Sequence, residues 1–501
     1  MGPQHGGVKT SLKRDLWLIF FFGAVVVRFV APRVPAFDTS HLIQRRPFEP
    51  ANHDSAATSS ILEDMNTPEE LSSLVPLPSL RWDTLHYLDI AAYGTYAYEH
   101  QYAFSPGVPV ILRLLYSIKL YSLNLIQGAT GFSSSSSHVL MVHVFDLVAI
   151  ASLALQPCLG IYRLTEKITG SRDFAFLSLL VYILMGAPPA VLRSAYAEPF
   201  FAWFSFQGLE ACCDQNYLVA SFWFALAACF RSNAILLPGF ILYGLIIQPL
   251  ILELSVARRN DPSTALAAKF KLMLQTALRL RVGAAIYGLF LTVIVLSPFI
   301  VQQYMAYFTF CRISDSPIPH FPRPWCANHL PLVYSFVQAH YWDVGLWRYW
   351  TLPQLPNFLL AMPMLVLVAI SSVLFLQAGI RAIWNIPASA TCPGQLELSP
   401  SVTITLLPYA LHALSLSLVL FTAAHVQIAL RVLPAATPWA AWAGAALIVQ
   451  GAKKNAEPQK LERNGRQSRS RWALISHLWI GWSVVWVFLS SVLWLAFLPP
   501  A

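Results

Sequence analysis

Long apolar runs, broken by short polar or basic stretches, recur along almost the whole chain. A helix needs about 20 mostly apolar residues to cross the hydrocarbon of a bilayer. Such runs fall at 15–31, 138–161, 173–190, 195–211, 217–231, 233–252, 282–303, 355–378, 400–423, 434–450 and 473–498. They predict an all-α polytopic membrane protein with about eleven spans. A further apolar stretch, 104–127, is interrupted by Pro106, Pro109, Arg113 and Lys119, which suits a helix lying at the interface. No internal repeat is visible.

The basic residues then set an orientation. With the N-terminus inside, the inner loops collect Arg163, Lys167 and Arg172, then Arg258, Arg259, Lys269, Lys271, Arg279 and Arg281, then Arg381. The last inner loop, KKNAEPQKLERNGRQSRSR, is the most basic stretch of the chain. This is the positive-inside pattern. Counting 104–127 as a span would put the basic loop 253–281 outside. The inner loops read as plain basic linkers, and the polar and aromatic clusters all fall on the other side.

The organisation expected is therefore a tail and first span (1–32), then a loosely structured Pro-, Ser- and acid-rich insertion (33–80). A first outer loop with an interfacial helix follows (81–137), closing on the low-complexity SSSSS at 133–137. Beyond it come a membrane core (138–303), a long aromatic outer loop (304–353), a second membrane core (354–450), a basic inner loop (451–472) and a last span (473–501).

Composition agrees. Of 501 residues, 56% are hydrophobic and 11% charged, against about 25% charged in soluble domains, and mean hydropathy is +0.55. The net charge of +9 is accounted for by inner loops and needs no nucleic-acid partner. Seven cysteines make neither a disulfide framework nor a metal-type CxxC spacing. Cys311 and Cys326 are a candidate outer pair. Lys9, Lys13 and Arg14 before LWLIFFFGAVVV imitate a signal peptide, but no clean small-residue cleavage site follows, so the segment reads as an uncleaved span.

The outer clusters carry the chemistry, and each has a plain alternative. Asp83, in RWDTLHYLDIAAYG, either caps the helix that starts there or acts as a general base. A transferase making a glycosidic bond by one inverting displacement needs only one carboxylate, to take the acceptor's proton. A phosphate leaving group departs as an anion and needs cations rather than a second acid. Asp89 and Glu99 are the competing acids, with Asp89 on another face of the helix from Asp83. Arg231, in RSN between two apolar stretches, either snorkels to the interface or binds a phosphate bidentately. Arg431, after HVQIAL, is a second candidate of that type, with Gln427 a turn away. Glu198, in SAYAEP, either opens a helix at its positive end or positions sugar hydroxyls. The loop from 304 to 353 is rich in Trp, Tyr and Pro, which an interfacial aromatic belt explains. Stacking of sugar faces is the alternative. Its histidines lack metal spacing.

Together RWDTLHYLDIAAYG, YAFSPG, SAYAEPFFAWFSFQG, ALAACFRSNAILLPGF, SPFIVQQYMAYFTFC, RPWC, YSFVQAHYWDVGLWRYWTLPQLPNFLLAMP and HVQIALR resemble the PIG-V family, the mannosyltransferases that add the second mannose of a GPI precursor. The resemblance runs from 81 to about 442 in family order. Ser105, Ala197 and Ala234 stand where the family usually has Phe, Ser and Gly, and none of these removes a candidate acid or arginine.

The resemblance implies a GT-C glycosyltransferase fold and α1,6 transfer from dolichyl-phosphate mannose, with Asp83 as the essential acid of the first lumenal loop. Substrate contacts would come from Arg81, Trp82, His86, Glu198, Arg231, Asn233, Gln427 and Arg431. It also implies an endoplasmic reticulum membrane location with a cytosolic N-terminus and lumenal site. No cofactor or metal is expected, and in fungi a small stabilising membrane subunit is. The competing readings are a transporter or flippase for a lipid-linked or anionic solute, and a non-catalytic scaffold subunit.

Overall fold

The structure is a computed structural model that describes residues 5–30, 82–130, 135–185, 196–253, 282–312, 323–384, 400–456 and 471–496; among them every regular element is helical. The 33–80 insertion, Arg81, most of the inner loop 253–281 and most of the basic loop 451–472 lie outside the described residues.

The long elements are α1 (His5–Val30), α2 (Asp83–Tyr93), α3 (Gly107–Thr130), α4 (Ser135–Thr169), α5 (Arg172–Met185), α6 (Ala197–Cys213) and α7 (Tyr217–Ala228). The continuous stretch Ser232–Glu253 is α8. Then come α9 (Val282–Tyr307), α10 (Val333–His340), α11 (Leu355–Trp384), α12 (Pro400–Thr422), α13 (Ala429–Ala436), α14 (Trp439–Ala456) and α15 (Arg471–Leu495).

Among the described residues six helices are long and apolar enough to cross a bilayer, and a seventh span results if α13 and α14 are counted together. The chain is thus a multi-pass membrane protein, with fewer full-length spans among the described residues than the apolar runs predict. The runs at 195–211 and 217–231 form helices of only 17 and 12 residues. The serine run is not a pure linker, because α4 begins at Ser135. The long outer loop also starts later than expected. Helix α9 continues to Tyr307 and a π turn carries it to Arg312.

The run 434–450 is not a simple span either. Helices α13 and α14 meet at an 86° bend. Thr437 is extended there (φ −142°, ψ 133°), as a residue before proline prefers, and its hydroxyl accepts the Trp439 N–H at 3.2 Å. Pro438 lacks a donor and so costs nothing at a helix start. The bend folds α13, with Arg431 on it, back against α6.

Helix α6 is the hub, packed by α4, α7 and α13. Phe201 and Phe206 on it are fully buried. Gly208 lets α7 close in, since a Cβ there would come within 2.3 Å of Phe224. Its two ends carry opposite jobs. Near its C-terminus Glu210 pairs with Arg163 at 3.2 Å and Asp214 with Lys167 at 2.5 Å, while Arg172 pairs with Glu166 at 3.1 Å. These basic residues are therefore fixed ion-pair partners rather than plain linker charges. Glu198 stands at the other end of α6, about 18 Å away at 1.5 Å per residue.

Candidate active site

Asp83 is the first residue of α2, but it is not the cap. That place belongs to Trp82, at φ 48° and ψ −115°, with no side-chain capping bond. Left-handed backbone at a bulky residue costs of order 1–3 kcal/mol. The Asp83 N–H donates to the Tyr196 hydroxyl at 3.2 Å, and its carboxylate Oδ2 lies 3.2 Å from Arg431 Nη1. The capping alternative thus gives way to an ion pair.

Three further segments converge on the same place. Glu198, in the first turn of α6, has a side chain 2% exposed, and its Oε1 accepts a hydrogen bond from Arg231 Nη1 at 2.5 Å. Arg431 Nε lies 2.7 Å from the same oxygen. Arg231 sits at the junction of α7 and α8 with extended backbone (φ −148°). Gly107 fastens the start of α3 beside it, its N–H donating to the Cys229 carbonyl at 2.7 Å. A Cβ on Gly107 would meet that carbonyl at 2.6 Å. The Arg431 guanidinium also lies 5.1 Å from the centre of the Tyr196 ring.

The result is an alternating chain, Asp83–Arg431–Glu198–Arg231, with two charges of each sign. Burying an unpaired charge costs several kcal/mol, so the alternation is what lets four charges share one half-buried place. Asp83 is the accessible acid, its side chain 32% exposed. Both arginines expected to await a phosphate are already paired with carboxylates.

Not every expected residue joins this chain. Arg81 lies outside the described residues. Trp82 is partly exposed beside Asp83. Gln427 is in the 3-10 turn Val426–Ile428, where it accepts from the Tyr349 hydroxyl at 3.4 Å. Asn233 has both side-chain polar atoms buried without a hydrogen-bond partner among the described residues, while its neighbour Ser232 donates to the Tyr334 hydroxyl at 2.6 Å. His86 stacks on Phe104 at 4.6 Å, and burial lowers its pKa from the usual value.

The competing acids are engaged elsewhere. Asp89 accepts from Gln101 Nε2 at 2.5 Å. Glu99 is a hub for Arg323, for Trp325 Nε1 at 3.0 Å and for the Tyr341 hydroxyl at 3.2 Å. Beside it Cys311 and Cys326 are disulfide-bonded.

Tyr196 and Tyr87 are the residues that reading the sequence missed. Tyr87, a turn on from Asp83, is buried. Burial first, then the Asp83 and Glu198 charges, push its pKa well up. The i, i+4 spacing from Asp83 was the available signal. Among the described residues no group of three His, Cys, Asp or Glu side chains could hold a metal ion.

The comparisons fit this architecture. The profile described as Mannosyltransferase (PIG-V) matches residues 48–501. The chain belongs to the PIG-V mannosyltransferase family. A "GPI mannosyltransferase 2" from Cryptococcus neoformans is 31% identical over 455 residues, covering 88% of this chain and 93% of that protein. A "GPI alpha-1,6-mannosyltransferase 2" from Cricetulus griseus is 31% identical over 413 residues, covering 75% and 74%. The "GPI mannosyltransferase 2" of Aspergillus oryzae is 27% identical across 100% of this chain and 97% of its own. No solved structure matches. The PIG-V family assignment makes the chain a glycosyltransferase, and nothing favours the transporter reading.

Proposed function

We propose that this enzyme transfers the second mannose, in α1,6 linkage, from dolichyl-phosphate mannose to a GPI precursor, at the lumenal face of the endoplasmic reticulum membrane and with its N-terminus in the cytosol. The observation that carries the site is the shared guanidinium of Arg431, which joins the one accessible acid to the buried Glu198–Arg231 pair.

The chemistry follows from that arrangement. The donor's polyprenyl chain lies among the spans, and its phosphate takes the place of the Asp83 carboxylate on Arg431. Glu198, too buried to serve as base, keeps both guanidiniums charged and aimed. Asp83, released, takes the proton from the acceptor 6-hydroxyl. The oxygen forms a bond to the anomeric carbon as the bond from that carbon to the phosphate oxygen breaks. Configuration inverts and dolichyl phosphate leaves with the electron pair, its charge met by the arginines. No step requires a metal ion or cofactor, the fold expected is of the GT-C type, and in fungi a small membrane subunit is an expected partner.

The test is mannosyl transfer in membranes lacking the endogenous activity, with dolichyl-phosphate mannose and a one-mannose acceptor. Wild type should transfer, and equally abundant, folded Asp83→Asn should not. Transfer by both would move the base elsewhere, and transfer by neither would sink the acceptor assignment.

A further inference from the structure

We propose that the wall of histidine and aromatic rings running from His86 to Tyr341 is the subsite for the acceptor's sugar rings, holding a neutral, hydroxyl-rich glycan by stacking and hydrogen bonds. The proposal rests on the reaction assigned above and deepens it.

Place is the first argument. His86 follows Asp83 by three residues in α2, so the two side chains share a face, about 5–6 Å apart at their Cβ atoms. From His86 the rings continue outward. His100 meets it edge-on at 5.5 Å, Tyr98 stacks on His100 at 5.4 Å, and Tyr341 faces His100 at 5.8 Å. Tyr341 is 49% exposed, so the wall opens at its far end.

The second argument is unspent hydrogen bonding. Among the described residues, neither His86 nor His100 has a hydrogen-bond partner for its ring nitrogens. His425, by contrast, is tied to the Trp342 carbonyl at 2.7 Å. Burial lowers the pKa of both His86 and His100. A neutral imidazole offers one donor and one acceptor, the pairing that a sugar hydroxyl can answer from either side.

Charge separates this subsite from the donor's. Among the described residues the wall contains no unpaired cation: Arg323 is held by Glu99, and the acid Asp89 by Gln101. A phosphate finds its counter-charges at Arg231 and Arg431, whereas ring faces suit the apolar face of a pyranose. The wall is also preorganised. Glu99 anchors the Tyr341 hydroxyl from one side and Arg323 and Trp325 from the other, and the Cys311–Cys326 bond ties the segment that carries Trp325 back to the end of α9.

The test compares acceptor and donor kinetics. His86→Phe and His100→Phe keep a ring and remove the hydrogen bonds; His100→Asn keeps a hydrogen-bonding group as the rescue. Losing one such bond is worth about a tenfold rise in acceptor KM. The double Phe variant should raise acceptor KM further, leave donor KM within about twofold, and be recovered in part when Asn replaces Phe at His100. In parallel, a fluorescent one-mannose acceptor is titrated onto purified wild type and double variant. Weaker binding by the variant supports the subsite even if wild type transfers no mannose, a result that would sink the reaction alone. Unchanged acceptor binding and KM in a folded double variant, or a donor KM rising in step, would overturn the subsite and leave the reaction standing.

Discussion

Arg431 lies 3.2 Å from the carboxylate of Asp83 and 2.7 Å from that of Glu198. One guanidinium thus joins an acid that substrate can reach to an acid that it cannot. Glu198 is buried between two guanidiniums, whereas Asp83 is 32% exposed. In the proposed mechanism an incoming phosphate competes with Asp83 for this cation, which would couple donor binding to release of the base.

That coupling gives opposite signs for two substitutions. Asp83→Asn removes the base and should lower kcat by about 10²–10⁴-fold, yet it frees Arg431, so donor KM should stay level or fall. Arg431→Ala should lower kcat and raise donor KM together. Steady-state kinetics with the donor varied separates the two, and a raised donor KM in Asp83→Asn would refute the competition.

Glu198 should behave as a buried countercharge. Removing one member of a buried ion pair costs about 3–5 kcal/mol, so Glu198→Gln should lower the thermal midpoint of the detergent-solubilised enzyme as well as its activity. Asp83→Asn, at an accessible position, should shift that midpoint little. Equal midpoints for the two variants would contradict the assignment of roles.

Tyr196 holds the Asp83 backbone N–H with its hydroxyl and faces Arg431 with its ring. Tyr196→Phe should therefore reduce kcat by about tenfold with donor KM within twofold. Tyr196→Leu, which also removes the cation–π contact, should raise donor KM as well. Matching kinetics in the two variants would reduce Tyr196 to a packing residue.

Asp89→Asn should transfer mannose within about threefold of wild type. The asparagine carbonyl can accept the Gln101 amide that Asp89 now accepts. A loss as deep as that of Asp83→Asn would refute the assignment of Asp89 to a structural hydrogen bond.

His86 and His100 set an acid-side limit. Burial lowers both folded-state pKa values below the ordinary 6.5, so below that pH the unfolded chain binds more protons than the folded one. Their contribution is complete above pH 6.5 and is lost as pH falls. The thermal midpoint of wild type should drop between pH 6.5 and 5.5 more steeply than that of the His86→Phe, His100→Phe variant. Parallel slopes would refute it.

The sequence by itself determined the class of protein and the raw materials of the site. A helix that crosses a bilayer must be long and apolar, so the hydrophobic runs are legible without tertiary information. Basic loops and motif-bearing segments such as RWD and RSN stand out because charge is scarce elsewhere. What only the tertiary structure decided is which charge meets which. Asp83, Glu198, Arg231 and Arg431 are separated by up to 348 positions, and pairing across such distances follows from helix packing, which no local pattern encodes. The same holds for Glu99, a base candidate in the sequence and a structural hub once Arg323, Trp325 and Tyr341 close on it. The bend at Thr437-Pro438 was written in the sequence as a helix-start signal. It is hidden there inside an apolar run, because hydropathy averages over a window and cannot see one residue turning the chain. That turn brings Arg431 to Asp83.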